Sequence, residues 1–341
     1  MLKRVKVEEA LGLKLAHDHT RIIPGFKGVG FKRGHVVRKA DIPRLLDLGK
    51  KMVYVLDLRP GQVHEEDAAK RVARAVAGRN LRRRKPREGK VEMTAATFGL
   101  LKVNVAALER INRTGEVILS TRHNHTIVQK GEAVAGTRVI PLFVRESQVA
   151  RAEEIGRSLG PVIEVVPIRP RKIGVVVTGS GIFEGRIPDR SSAIVASKVE
   201  AFGSKVVRTA VVTDDPAMIA AEIRRMEKAG CRVIMTTGGL SVDPDDVTLE
   251  GIRRSGAEQI FYGTPVLPGA MFVCARLGKA VVLGAPACVV HDPVTVLDLI
   301  LPRVLAGDLI RAADIAPMGH GGFCLRCKVC RYPVCPFGKG A

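Results

Sequence analysis

The chain has 341 residues, enough for two compact domains and a small appendage, because single cores rarely grow past a few hundred residues. Its formal charge of +21 favours an anionic partner, but a chain with no Trp and only 3 Tyr offers few stacking platforms for single-stranded nucleic acid. No apolar run of roughly 20 residues and no export-type leader is present, so we expect no membrane span and a cytoplasmic location.

Residues 1–150 are predicted to form an α+β or β-rich N-terminal domain, because their apolar runs are short and irregular, as in Met52-Val53-Tyr54-Val55. Within this region, the run RNLRRRKPREGK at 79–90 holds seven basic residues and is broken by a proline and a glycine. Such a run cannot continue a helix, so an exposed loop is predicted.

Two short histidine motifs, His17-x-His19 and His123-Asn124-His125, lie in the same region. Imidazoles at this spacing are candidate metal ligands or bases. Histidines clustered in loops are, however, mostly polar surface groups, and this is the interpretation we favour from the sequence.

A linker is predicted at 151–172. Its first part overlaps the amphipathic segment RESQVARAEEIGRSLG, residues 145–160, which is typical of a helix that ends at Gly160. The rest of the linker, PVIEVVPIRPRK, is punctuated by prolines and predicts an extended stretch.

Residues 173–312 show the alternation of strands and helices that is typical of a mostly parallel α/β sheet flanked by helices. Continuous β-branched runs, which suit strands buried on both faces, lie at 173–178, 205–212, 232–237 and 279–284. Parallel strands end at one edge of the sheet, where ligands of open α/β folds bind.

One crossover helix carries clear start and stop signals. Asp214 or Asp215 can cap its first turn, Pro216 suits the position that follows, and Gly230 stops it.

A glycine-rich loop, Thr178-Gly179-Ser180-Gly181, follows the first of these strands. Glycines there let backbone N–H groups close on a phosphate, and a helix N-terminus adds favourable partial charge. A dinucleotide fold uses a similar cluster, but the spacing here is not G-x-G-x-x-G. The loop therefore predicts an anion cradle of another kind.

A second loop, TTGGLSVDPDDVT at 236–248, follows the third strand and ends in three acids. Carboxylates beside an anion site usually need a cation between them, and Mg²⁺ shared with a phosphate is the natural candidate. Asp246 is equally placed to cap the helix VTLEGIRRS, and both roles can hold together.

The series VVVTGSGI, the region of Asp214, TTGGLS with DDVT, PVLPGAM and VVLGAP, in this order, resembles the molybdopterin-binding domain shared by molybdopterin adenylyltransferases and molybdotransferases. The resemblance covers about residues 170–312. It implies binding of molybdopterin, or its adenylylated form, in molybdenum-cofactor biosynthesis or insertion. It further implies a homo-oligomeric transferase that uses Mg²⁺ for adenylyl or molybdate transfer and hands its product to a molybdoenzyme.

By this resemblance, Asp246 matches the family's acid after the Gly-Gly turn and Asp214 the acid that opens the preceding helix, and we assign both a catalytic role. The residues implied to contact the ligand are Thr178, Gly179, Ser180, Gly238, Gly239, Ser241, Gly284 and Pro286.

The chain departs from the family at two loops. Molybdotransferases usually carry Gly-Asp-Glu where this chain has Gly179-Ser180-Gly181, and a polar turn where it has Ala285-Pro286. These changes favour ligand binding over catalysis. A non-catalytic cofactor carrier or redox sensor is therefore one alternative, and nucleic-acid binding through the basic run and the cysteine tail is another.

The tail, residues 317–341, places four cysteines in the pattern C-x2-C-x2-C-x4-C-P. Four thiols within twelve residues in a reducing cytoplasm indicate a metal site rather than disulfides. Iron–sulfur and four-thiolate zinc sites both use such ligands, and a tail this short would fold around its metal. The expected ligands are Cys324, Cys327, Cys330 and Cys335.

Overall fold

The computed structural model describes residues 3–23, 26–57, 60–140 and 142–340. The chain divides into two compact units. The N-terminal unit comprises Met1–Thr97, Leu101–Asn124 and Val128–Val165, and the C-terminal unit Phe98–Leu100, His125–Ile127 and Val166–Ala341. In the described residues, none of the helices has the length and apolar character needed to cross a membrane.

The chain up to Pro167 mixes helices and short strands, as predicted. Its strands are β1 (Lys3–Lys6), β2 (His19–Ile23), β3 (Phe26–Phe31), β4 (Met52–Val55), β5 (Gln62–His64), β6 (Leu81–Arg83), β7 (Val91–Ala95), β8 (Gly99–Val103), β9 (Val117–Thr121), β10 (Ile127–Val128), β11 (Ala133–Val139), β12 (Phe143–Arg145) and β13 (Ile163–Pro167). Its helices are α1 (Asp41–Asp47), α2 (Glu65–Val76), α3 (Val105–Asn112) and α4 (Glu146–Ser158). The largest sheet here is antiparallel, in the order β6-β7-β11-β9, and β1 pairs with β4, β2 with β3 and β5 with β12.

Helices α2 and α4 pack closely in the core of the N-terminal unit. A Cβ on Gly156 of α4 would lie 2.7 Å from the carbonyl oxygen of Ala75 in α2, so glycine permits this approach. The side chain of His64 caps α2, because its Nδ1 accepts a hydrogen bond from the Glu66 amide at 3.2 Å.

The prediction of an exposed loop at 79–90 is wrong for part of this basic run. Leu81–Arg83 forms β6, at the edge of the four-stranded sheet, and pairs antiparallel with β7. Charged side chains are frequent on edge strands because they discourage further pairing, so the basic composition is compatible with a strand here.

The stretch 151–172, predicted as a linker, holds the end of α4 and all of β13. Ile163 and Val165 of β13 are buried in the core of the N-terminal unit. The division between the two units falls between Val165 and Val166.

The C-terminal unit confirms the predicted α/β fold. Its elements are β14 (Lys172–Thr178), α5 (Ser180–Phe183), α6 (Ser191–Glu200), β15 (Lys205–Val212), α7 (Pro216–Lys228), β16 (Val233–Thr237), α8 (Thr248–Arg254), β17 (Glu258–Tyr262), β18 (Val273–Leu277), β19 (Ala280–Ala285), α9 (Val296–Leu305) and α10 (Ala312–Ile315). The sheet order is β15-β14-β16-β19-β18-β17. The first four strands are parallel, whereas β18 and β17 are antiparallel additions that the sequence did not predict.

Helices cover both faces of this sheet. Val175 and Val177 of β14 face a core that contains residues of α6 and α9, whereas Val176 faces one built with α7 and α8. This alternation follows from the two-residue period of a strand and explains the continuous apolar runs. Helix α7 begins as predicted, because the Asp215 carboxylate accepts a hydrogen bond from the Ala217 amide at 2.7 Å.

The cysteine tail packs on the C-terminal unit. The Cys324 amide donates to the carbonyl oxygen of Leu267 at 2.8 Å, and the hydroxyl of Tyr332 donates to the carbonyl oxygen of Asp298 in α9 at 3.1 Å. The tail is therefore held by backbone and side-chain hydrogen bonds.

Candidate functional site

A cavity of about 400 Å³ opens at the carboxyl ends of the parallel strands. Thr178 at the end of β14, Gly238 after β16 and Pro286 after β19 all line it, so three of the predicted ligand-contacting residues meet there. Its other walls are mainly apolar, with a few polar groups. The remaining lining residues are Val177, Ile182, Ile187, Pro188, Arg190, Ser191, Thr237, Ala285, Ala287, Val289, Val290 and His291.

Thr178 organises the floor of this cavity. Its hydroxyl is buried, lies 3.2 Å from the carbonyl oxygen of Thr237 and shares a hydrogen bond of 2.8 Å with the Thr248 hydroxyl. The Thr248 hydroxyl in turn lies 3.0 Å from the carbonyl oxygen of Gly238. These contacts tie the end of β14, the glycine turn and the start of α8 together.

The Gly238–Gly239 turn requires glycine at both positions. Both residues have positive φ, +86° and +57°. A Cβ on Gly238 would lie 2.3 Å from the Thr178 carbonyl oxygen, and one on Gly239 would lie 2.5 Å from the Thr248 hydroxyl oxygen. Within the described part of the chain, neither amide donates to a backbone carbonyl, so both are available to an anionic ligand.

The first glycine loop is arranged differently from the predicted anion cradle. The Ser180 amide and hydroxyl both donate to the carboxylate of Asp214, at 2.7 and 2.9 Å, and the hydroxyl also contacts that of Thr213 at 2.8 Å. An internal carboxylate therefore occupies the place that a phosphate would take at the Ser180 amide. Asp214 links the end of β15 to the loop after β14.

The N-terminus of α6 is likewise occupied by a carboxylate. Asp189 accepts hydrogen bonds from the amides of Ser191 and Ser192, at 2.8 and 3.1 Å, and from the Ser191 hydroxyl at 2.9 Å. Burial alone would raise the pKa of Asp189, but these hydrogen bonds bring its pKa below the usual value. Because the Ser191 hydroxyl also contacts that of Thr237 at 2.9 Å, Asp189 holds Ser191 in the cavity wall.

Asp189 and Ser191 were not predicted as site residues from the sequence. The signal was present, because an Asp two and three residues before a pair of serines at a helix start is typical of a capping pattern.

Asp246 is partly buried, and its Oδ2 atom is buried without a hydrogen-bond partner in the described structure. The alternative prediction that Asp246 caps the next helix is wrong, because α8 begins after Val247 with no side-chain cap. One oxygen of the carboxylate therefore lacks a hydrogen bond to the described residues, and burying such an oxygen costs folding free energy.

The remaining predicted residues all lie outside this lining; they are Gly179, Ser180, Asp214, Gly239, Ser241, Asp246 and Gly284. Ser241 is exposed on the loop after the glycine turn. Gly284 lies in β19, where a Cβ would come within 2.7 Å of Leu240 Cδ1 and 2.9 Å of Val273 Cβ, so its observed role is close packing. Gly179 has a φ of +138° and opens the loop that Asp214 holds.

The four tail cysteines line a second cavity, of about 250 Å³. All are free thiols, with Cys324 and Cys335 half-buried and Cys327 and Cys330 exposed. Among the residues described, no three His, Cys, Asp or Glu side chains are grouped as a metal site. Neither Mg²⁺ nor a tail metal is therefore supported by an assembled set of ligands.

Together, the fold and the cavity define a mostly parallel α/β ligand-binding domain with its site at the carboxyl edge of the sheet. Residues 174–306 match a family described as "Probable molybdopterin binding domain", and this part of the chain is a domain of that family. The match covers less than half of the chain. Residues 4–57 match a second family, described as a domain of unknown function, DUF8806.

Curated relatives include the CinA-like protein of Mycobacterium leprae (strain TN), 39% identical over 83 residues, which are 24% of this chain and 19% of that protein. The CinA-like protein of Mycobacterium tuberculosis (strain ATCC 25618 / H37Rv) is 34% identical over 83 residues, with the same two coverages of 24% and 19%. The chain thus spans about a fifth of the length of these relatives.

Two solved structures are similar to part of the chain. The molybdopterin biosynthesis enzyme MoaB from Thermus thermophilus has 19% identity and a TM-score of 0.35, covering 40% of this chain and 98% of that one. CinA from Thermoplasma acidophilum has 18% identity and a TM-score of 0.32, covering 35% and 89%.

Proposed function

We propose that the C-terminal unit binds molybdopterin, or its adenylylated form, in molybdenum-cofactor biosynthesis or insertion. The ligand's phosphate would lie against the amides of Gly238 and Gly239. The observation that carries this proposal is that Gly238 lines the cavity in a domain of the molybdopterin-binding family, while its amide has no backbone acceptor among the described residues.

The cavity suits a flat ring system with one anionic end. Its volume of about 400 Å³ falls within the range of roughly 300–1,000 Å³ that small-molecule sites occupy. Ile182, Ile187 and Val289 supply apolar walls for the pterin rings. Arg190 is exposed at the same cavity and brings a cation close to the phosphate.

We further propose that Asp246, which follows the glycine turn in sequence, holds Mg²⁺. The buried Oδ2 without a partner is a hard oxygen ligand of the type that Mg²⁺ prefers, and the ion would share the ligand's phosphate. When bound, Mg²⁺ would neutralise charge on the phosphate during adenylyl transfer. Asp214, whose carboxylate holds Ser180, is better described as a positioning residue for the first loop.

Binding and its Mg²⁺ dependence can be tested on the full-length protein. Molybdopterin would be titrated anaerobically, with its fluorescence as the readout, with and without Mg²⁺. The variant Asp246→Asn should lose the gain in affinity from Mg²⁺, and Asp243→Asn, at an exposed neighbour, should keep it. Equal Mg²⁺ responses in the two variants would exclude this role for Asp246, and wild-type protein that binds no pterin in either condition would overturn the proposal.

The same preparation separates a transferase from a carrier. A transferase should turn over molybdopterin with ATP or molybdate in the presence of Mg²⁺, whereas a carrier should bind it without turnover. The departures at Gly179-Ser180-Gly181 and the engagement of Ser180 by Asp214 favour the carrier.

We also propose that the tail cysteines hold zinc or an iron–sulfur cluster. This rests on their spacing and on all four thiols lining one cavity, since thiolates bind either metal. Metal analysis and the absorption spectrum of anaerobically purified protein would distinguish the two. Protein that retains neither iron nor zinc would exclude both.

A further inference from the structure

A third cavity, of about 420 Å³, lies within the N-terminal unit. It is bordered by a histidine, a tyrosine, an arginine and several carboxylates. The lining residues that matter here are His17, Asp18, Tyr54, Glu65, Glu66 and Arg138.

Two buried histidines of this unit differ in how their ring nitrogens are used. Both nitrogens of His64 have partners, since Nε2 contacts the Ala16 carbonyl oxygen at 2.6 Å and Nδ1 accepts from the Glu66 amide. His19 is only 3% exposed, and neither of its ring nitrogens has a hydrogen-bond partner in the described structure. The expectation that this motif is a polar surface group is therefore wrong for His19.

His17 is a second histidine with a ring nitrogen that lacks a partner among the residues that the structure describes, and it lines the cavity. Its ring lies 4.4 Å from that of His19, centroid to centroid, and its Nδ1 is also buried without a partner in the described part of the chain. Buried polar atoms in native proteins almost always have a partner, which is either protein, water or a ligand. Three buried ring nitrogens without hydrogen-bond partners in the described ranges therefore indicate that these two side chains bind a ligand.

The electrostatic surroundings select a cation. Several carboxylates, those of Asp18, Glu65 and Glu66 among them, line the same cavity as His17, and such a lining suits a positively charged ligand. The carboxylate of Glu65 lies 3.7 Å from the guanidinium of Arg138. Glu66, by contrast, is paired with Arg33 at 3.0 Å. The His17 ring and the Glu65 carboxylate thus line one cavity, and the buried His19 ring lies 4.4 Å from the His17 ring.

We propose that His17 and His19 bind a divalent transition-metal ion, with Glu65 as the carboxylate ligand. Two imidazoles and one carboxylate are a donor set used by such ions, and they leave positions open for water or a substrate. In the described residues no third ligand already stands beside the two rings, so Glu65 must rotate toward the ion. Gly89 favours this, because a Cβ there would lie 2.3 Å from the Glu65 carboxylate and fill the space around it.

Zinc is the probe for a direct test on the full-length chain. The protein would be stripped with a chelator, and its Zn²⁺ stoichiometry would then be measured by calorimetry and metal analysis. His17→Gln and His19→Gln should each lose one equivalent relative to the wild type, whatever the tail binds. His35→Gln is the matched control, since His35 of the same unit already contacts Asp41 at 2.7 Å, and it should lose none. Equal stoichiometry in all four proteins would overturn the proposal.

A second measurement needs no substitution. Zn²⁺ should protect His17 of the wild-type protein from an imidazole-acylating reagent at least tenfold, as followed by peptide mass spectrometry, while His35 should react at an unchanged rate. Ordered water could also satisfy the ring nitrogens. In that case saturating Zn²⁺ would leave the acylation of His17 unchanged, and the proposed metal site would be excluded.

Discussion

Replacement of Gly238 by alanine tests the geometry of the proposed phosphate site. The new Cβ would lie 2.3 Å from the Thr178 carbonyl oxygen, so the turn would have to move by about 1 Å to reach ordinary contact. The positive φ adds about 1–2 kcal/mol and the crowding about 1–3 kcal/mol, which together predict a loss of roughly 2–5 kcal/mol in unfolding free energy. Gly230→Ala is the matched control, because φ is +84° and the space is open, so only the backbone cost applies.

Urea unfolding of both variants would measure these costs, and pterin titration would measure the consequence for binding. A charge-assisted hydrogen bond contributes about 1.5–3 kcal/mol, so displacing one amide should weaken binding by roughly 10- to 100-fold in Gly238→Ala. Gly230→Ala should bind as the wild type does. If Gly238→Ala unfolds and binds like Gly230→Ala, the close contact with Thr178 and the role of this turn are both refuted.

Two further predictions concern packing and pH. The pKa of Asp189 is lowered in the folded protein. Its hydrogen bonds to Ser191 and Ser192 therefore stabilise the fold at pH values above the pKa of the unfolded state, about 3.9. This stabilisation is lost as the pH falls through the pKa of the folded state. Asp189→Asn should therefore flatten the acid limb of a pH–stability curve recorded by urea unfolding, and an unchanged limb would contradict this. Gly156→Ala should cost about 1–3 kcal/mol in unfolding free energy, because its Cβ would lie 2.7 Å from the Ala75 carbonyl oxygen, and a neutral effect would disprove the close helix contact.

The parallel strands of the C-terminal unit could be predicted because local composition determines them. A strand buried on both faces, such as β14, favours β-branched residues on both faces, and the run IGVVVT supplies them at every position except Gly174. The Asp215 cap and Pro216 at the start of α7 are also local signals. The antiparallel strand β17 was missed because it is interrupted, with Gln259 at a φ of +51°.

The site was harder to predict because its decisive contacts are long-range. The carboxylate of Asp214 lies 34 positions from Ser180 in sequence, and only the paired strands β14 and β15 bring the two together. The burial of His19 likewise depends on tertiary packing, whereas its sequence neighbourhood is polar. The sequence could therefore predict the residue types at the site. It could not predict which of their polar groups already form hydrogen bonds within the protein.

The central claim, that a pterin phosphate contacts the Gly238 and Gly239 amides, is most directly tested by NMR of full-length protein labelled with ¹⁵N in glycine. Molybdopterin should shift the amide resonances of both residues in a saturable way, while Gly230, at the far end of α7, should not move. Saturation with resonances of Gly238 and Gly239 unchanged would place the ligand elsewhere and contradict the account.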